Sequence, residues 1–316
     1  ALAVIRTIEK DNSQIGPALL LGVAYYASIG GMATLIGTPP NLVFSGVLEQ
    51  QVNKPISFLE WTSMALPVAI FLLFITWWIL KRPFLTNGAP LKVKDLKQNS
   101  TITRSEKTML LIFIITAFSW ILRAPLLNVF LPQLNDTHIA LIGGLSLLII
   151  PSEKNKAAPI LSWADTQKLP WGTLILFGGG LSLASAFDQK GVASWLGSIL
   201  QVYAQNWNPL FVIMSTVLLI NFTTEITSNL ATTAVLLPIL LPISKICHIP
   251  ALFLLGAATL SASCAFMLPV ATAPNALVFG IGRISVKNMV KNGILLNLIS
   301  SIIISLAFYF MMIYSQ

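Results

Sequence analysis

"IGTPPN", residues 36–41, interrupts one apolar run early in the chain, and "VATAPN", residues 270–275, interrupts another near its end. A helix crossing hydrocarbon satisfies its own backbone, so a break survives there only when buried in protein or facing water. The two stretches share a frame, with Thr38 matching Thr272, Pro40 matching Pro274 and Asn41 matching Asn275. Proline removes a donor and glycine lets backbone approach closely. Pro39 and Pro40 are therefore expected to stop the helix, Gly37 to permit close approach, and Thr38 and Asn41 to offer side-chain oxygens and an amide. One such break in each half is the sequence pointer to a transporter binding site at a repeat interface. Whether the repeats run parallel or inverted stays open at this level.

The composition sets the class. Of 316 residues, 55% are hydrophobic and only 9% charged, and the mean hydropathy is +0.81. A soluble chain carries roughly a quarter charged residues, so this is an all-α polytopic membrane protein. Its net charge of +8 does not point to nucleic acid, because the basic residues are scattered between apolar runs. Lys81, Arg82, Lys92, Lys94, Lys97, Arg104 and Lys107 share one polar segment, which fits a cytoplasmic connector facing anionic lipid. Cys247, Cys264, His138 and His248 show neither a disulfide framework nor metal-ligand spacing. No intramembrane acid–base pair is present, so an enzyme is not expected. The opening "ALAVIRTIEKDNS" is not a signal peptide and reads as the end of a helix already under way.

Apolar stretches able to span or half-span a bilayer lie at 16–36, 64–80, 108–130, 138–151, 171–187, 207–223, 230–245, 249–270 and 292–313. Arg123 and Pro125 are expected to end the 108–130 run early. The lysine and arginine distribution puts 81–107, the 151–170 connection and 282–293 inside, and 128–138 and the C-terminus outside. "TTEITSNLATTAVLLPI", 223–239, sets Glu225, Ser228 and Asn229 between apolar arms. If Ser228 and Asn229 cap the arm starting near Leu230, its free N–H groups and positive dipole end favour a carboxylate. No arginine or lysine lies in these motifs, so bound cations would balance an anion's charge, and hard cations take such oxygen ligands. Two readings of Glu225 stand side by side: a structural acceptor that holds the turn, or a group coupled to ion binding. The "GGG" at 178–180 reads as packing or hairpin geometry.

"LLGVAYYASIGGMATLIGTPPNLVF", "WGTLILFGGGLSLASAF", "TEITSNLATTAVLLPI" and "ASCAFMLPVATAPNALVFG", in this order and spacing, resemble the divalent anion/sodium symporter family of the sodium/sulfate symporter superfamily. That family includes bacterial sodium-coupled dicarboxylate carriers and animal citrate and dicarboxylate carriers. The resemblance implies a homodimer in the bacterial plasma membrane, coupled to Na⁺, with a transport domain moving like an elevator against a scaffold. It implies inverted repeats, each with a re-entrant hairpin and a broken helix. By the resemblance, Gly37 belongs to one Na⁺ site and Thr224, Thr227, Asn229 and Ala271 to the second. Thr38, Pro39, Asn41, Ser228, Asn229, Leu230, Thr272 and Ala273 form the set implied for a small anionic substrate.

The same resemblance divides the chain. Residues 1–63 hold the end of a first hairpin and the first broken helix, 64–150 scaffold helices, 151–290 the second hairpin and broken helix, and 291–316 a last scaffold helix. Three departures accompany it. The family's opening helices and first hairpin are not matched, so the reading expects a fragment lacking half a substrate clamp. Leu230 replaces a threonine, and Ala273 stands where a second proline is frequent. The expected function is Na⁺-driven symport of succinate, malate or fumarate. The alternatives are an anion exchanger, a carrier of citrate, tartrate or sulfate, an ion channel, or an inactive truncated product.

Overall fold

The computed structural model describes residues 15–81, 102–153, 158–167 and 207–315, with scattered positions between 169 and 195. The readings that fall on 1–14, on the 82–101 connector, and on most of the "GGG" segment lie outside the described residues. In chain order the helices are α1 (Ile15–Met32), α2 (Pro39–Val52), α3 (Phe58–Leu80), α4 (Arg104–Leu122), α5 (Asn128–Phe130), α6 (Asp136–Ile149) and α7 (Trp163–Thr166). They continue as α8 (Pro209–Thr223), α9 (Asn229–Ile246), α10 (Ala251–Ala262), α11 (Ala273–Phe279) and α12 (Val286–Tyr314). Among the described residues the only β pairing is an isolated bridge between Pro151 and Pro159. Among the described residues, four stretches are long and apolar enough to cross a bilayer: Phe58–Leu80, Arg104–Phe130, Asn229–Ile246 and Val286–Tyr314.

The chain divides into two compact units. The smaller holds Ser57–Trp61 and Leu96–Gly172. Its helix α4 starts with a capping box, in which Thr103 accepts the Glu106 N–H and Glu106 accepts the Thr103 N–H. The early end expected at Arg123 and Pro125 does not occur. A π turn over Arg123–Leu127 carries the helix onward to Phe130, since a wider turn accommodates the ring and missing N–H of Pro125. Arg123 pairs with Asp136 at the first turn of α6, and Asp136 also accepts from the Phe58 N–H at 3.0 Å and, through its carbonyl, from the Trp120 indole at 3.0 Å. Only 6% of the apolar window in Arg104–Phe130 is buried, so this helix needs lipid on its surface. The protein is a multi-pass membrane protein.

The larger unit holds both sequence breaks. α1 packs on α11, and α2 packs on α10. The first arm of one broken helix therefore lies beside the second arm of the other. Two helices passing in parallel would pair first arm with first arm; this crossed pairing is what antiparallel passage produces. This pairing fits the inverted arrangement that the resemblance implies. α8 and α9, joined by the turn 224–228, both pack on α10, and α8 and α10 also pack on α12.

Candidate functional site

The prolines do not stop the first helix. α1 ends at Met32, and Pro39 and Pro40 occupy the first two positions of α2, where a missing N–H costs nothing. α1 ends where the chain folds back so that Gly37 closes against Gly31. A Cβ on Gly37 would collide with the carbonyl of Gly31, and one on Gly31 would lie 2.8 Å from Thr38 Cγ2. Gly37 is thus required for the break to close on itself. The residues between the two arms span 33–38.

The second break repeats the design with longer loops, from Ser263 to Thr272. Thr38 and Thr272 stand at the N-cap positions of the following arms with matching backbone, φ −139° and ψ 148° against φ −139° and ψ 153°, and Thr272 also accepts the Asn275 N–H. Asn41 and Asn275 then do the same work in both copies. Each is fully buried, and each uses its amide to hold two carbonyls of its own break. Asn41 donates to Thr34 at 2.7 Å and to Met32 at 3.4 Å; Asn275 donates to Ala265 and Leu268, both at 3.0 Å. Their Oδ1 atoms are buried with no hydrogen-bond partner among the described residues. Asn41, grouped by sequence with the substrate residues, sits as a brace behind the break.

Almost all the polar backbone of 265–268 is accounted for, as a break in hydrocarbon requires. Glu225 is the main acceptor. Its Oε1 takes the N–H of Phe266 at 2.7 Å and of Met267 at 2.9 Å, its Oε2 takes that of Leu268 at 2.9 Å, and the Asn297 amide donates to Oε1 at 2.7 Å. The Phe266 carbonyl accepts from the Tyr25 hydroxyl at 2.8 Å. Of the two readings of Glu225, the geometry displays the acceptor: four donors already converge on a 3% exposed carboxylate. Gly293 on α12 lets the loop lie against the helix, since a Cβ there would overlap the main chain of Phe266 and Met267.

The turn between α8 and α9 brings the third polar group to the same place. Ser228 caps α9, accepting from the Ala231 N–H at 3.1 Å, as its position in the sequence suggested. The arm it opens is 18 residues long. Thr224 Oγ1 lies 2.6 Å from Asn229 Oδ1 and 3.0 Å from the Ala262 carbonyl, at the end of α10. Two hydroxyl or amide oxygens and an orphan helix-end carbonyl thus converge, a donor set suited to a hard cation. Ala271 is buried and Asn229 half-buried. Thr227 turns its hydroxyl to Thr223 O at 2.9 Å and Thr232 Oγ1 at 2.5 Å.

On the outer side, Gly37, Pro39, Ser228 and Ala273 are exposed and Thr38 and Thr272 half-buried, so these groups can meet a solute. Leu230 is buried at the second position of α9. α9 packs on α2, and Thr38 Oγ1 of the first break lies 3.4 Å from Ser263 Oγ of the second. Sequence reasoning had not singled out Tyr25, Gly293 or Asn297. Asn297 could have been found, because an amide in the middle of the 292–313 apolar run is costly unless paired.

Comparison with known proteins places this geometry. A family model described as the sodium:sulfate symporter transmembrane region matches residues 3–315. The chain is 38% identical over 315 residues to the sodium-dependent dicarboxylate transporter SdcS of Staphylococcus saprophyticus, covering 96% of this chain and 60% of that protein. It is likewise 38% identical over 316 residues to SdcS of Staphylococcus aureus, covering 97% of this chain and 61% of the relative. The chain thus spans about 60% of the length of these curated relatives.

Proposed function

The chain belongs to the sodium:sulfate symporter family, and from that premise we propose that it carries the Na⁺-coupled uptake of a small dicarboxylate, succinate, malate or fumarate. It works in the bacterial plasma membrane as a transporter and not an enzyme. The observation that carries the reading is the meeting of the two breaks through Thr38 and Ser263, beside the capped tip of α9, which Thr224 ties to the end of α10. The N-terminal end of α9, with Ser228 and Asn229, favours a carboxylate by its free N–H groups and positive dipole end. Thr38, Pro39, Thr272 and Ala273 line the same opening and set the fit to the rest of the dianion.

The residues present fit Na⁺. Thr224, Asn229, and the main-chain oxygens of Thr227 and Ala271 form one set, and the main chain at Gly37 contributes to another. A cation there offsets the dianion's charge and orders the tip, so ion and substrate strengthen each other's binding. Two chains form a dimer, in which a transport domain carrying the broken helices moves in an elevator-like step. Support for the substrate class comes from the two relatives, whose names specify sodium and dicarboxylate.

Uptake of radiolabelled succinate into proteoliposomes, with and without an inward Na⁺ gradient, tests the proposal. Accumulation only with the gradient is the expected result. Succinate counterflow without Na⁺ would replace symport by exchange. Accumulation of sulfate, citrate or tartrate but not succinate would overturn the substrate class.

A further inference from the structure

We propose that Tyr25 is a positioning residue that couples the two breaks, so that an ion held at one raises the affinity of the other. The inference rests on the sodium-coupled reading above. Tyr25 lies within α1 at 1% exposure, and its hydroxyl donates to the Phe266 carbonyl at 2.8 Å, 241 positions away in sequence. Its ring meets that of Phe266 edge-on, with centroids 5.1 Å apart and planes at 66°. Phe266 is fully buried inside the second break.

The tie runs on through Glu225. The N–H of that same peptide group, on Met267, donates to Glu225 at 2.9 Å, and the Phe266 N–H does so at 2.7 Å. The neighbouring Thr224 bridges Asn229 Oδ1 at 2.6 Å and Ala262 O at 3.0 Å, the atoms gathered at the second ion site. On the other side, α1 ends in the first break, seven residues after Tyr25 by the numbering of Met32. One hydroxyl therefore joins the helix that terminates in the first break to the peptide whose other face is tied to the second ion site. A weaker tie runs beside it, the 3.4 Å approach of Thr38 Oγ1 and Ser263 Oγ.

Both breaks are irregular backbone, whose groups outside a helix are what an ion can reorder. While Tyr25 holds the Phe266 carbonyl, the second break cannot settle independently of α1. Ordering either break then favours the ordered form of the other, which is a coupling free energy and is reciprocal by necessity. A contiguous network alone does not establish such coupling, so the test measures the coupling itself.

Na⁺ titrations of thermal stability, without substrate and with K⁺ as the ionic control, are to be run on the full-length detergent-solubilised protein. The variants are Tyr25→Phe, Ser263→Ala, and Tyr309→Phe as a ring-matched control away from the network. The wild type is expected to respond to Na⁺ with a Hill coefficient above one. Tyr25→Phe keeps the ring and loses the bond. Its Hill coefficient should fall towards one and its half-saturating Na⁺ rise about five-fold, the factor expected for one net hydrogen bond. Full stabilisation should return at saturating Na⁺, which a general folding defect would not give. Ser263→Ala should shift the curve the same way by less, and it carries the test should Tyr25→Phe fail to fold; Tyr309→Phe should match the wild type. A Tyr25→Phe titration identical to wild type, or a wild-type Hill coefficient of one, overturns the inference and leaves the symport reading intact. A wild type that does not distinguish Na⁺ from K⁺ overturns both.

Discussion

Asn229 carries the most weight of any single side chain at the site. Its Oδ1 is 2.6 Å from the Thr224 hydroxyl, and its amide stands at the first position of α9, where a carboxylate would approach. Replacement by alanine should lower Na⁺-driven succinate uptake by at least about ten-fold, the cost of one charge-assisted bond or more. Cell-surface amount and melting temperature should remain near wild type. Normal uptake by Asn229→Ala would sink the assignment of this residue. Glu225 is expected to behave in the opposite way. Glu225→Gln sets an NH₂ group against main-chain N–H donors, and leaving a buried donor unsatisfied costs about 1–3 kcal/mol. A clear drop in melting temperature in detergent is the expected outcome; an unchanged melting temperature would show that the four bonds at Glu225 contribute little.

At the scale of elements, the twin braces Asn41 and Asn275 make matched predictions. Each ties two carbonyls of its own break, so Asn41→Ala and Asn275→Ala should each destabilise by about 2 kcal/mol, from two lost hydrogen bonds. Thermal unfolding of both variants checks this, and a loss confined to one would break the equivalence of the repeats. Gly293 tests a different contact. Gly293→Ala drives a Cβ into the main chain at Phe266, so it should lower stability or displace the second break, whereas Gly30→Ala, with open space around the added methyl, should not. The π turn at Arg123–Leu127 belongs to the same scale: it shows how a helix keeps its course past Pro125 by widening one turn.

At the scale of the molecule, linkage supplies the prediction. If ions and substrate order the same backbone, the factor by which Na⁺ tightens succinate must equal the factor by which succinate tightens Na⁺. Equilibrium binding of each, titrated at fixed concentrations of the other in detergent, should return a single ratio; two different ratios would mean that the titrations report different sites.

Composition and patterning alone determined much of this protein. Apolar runs of spanning length with few charges dictate helices in lipid, because hydrocarbon leaves the backbone no other partner. The repeated Thr-x-Pro-Asn frame located both breaks, since Thr38 and Thr272 stand at the N-cap positions and the prolines begin the helices that follow. Ser228 was legible as a cap for the same local reason. What tertiary structure decided is everything that depends on partners far along the chain. That Pro39 and Pro40 open α2 while α1 ends earlier depends on the closure of Gly37 on Gly31. That Glu225 accepts from 266–268, that Tyr25 reaches Phe266, and that α1 packs on α11 and α2 on α10 follow from contacts across as many as 241 positions. Local sequence sets which backbone groups go unpaired; only the packed fold brings the groups that pair them.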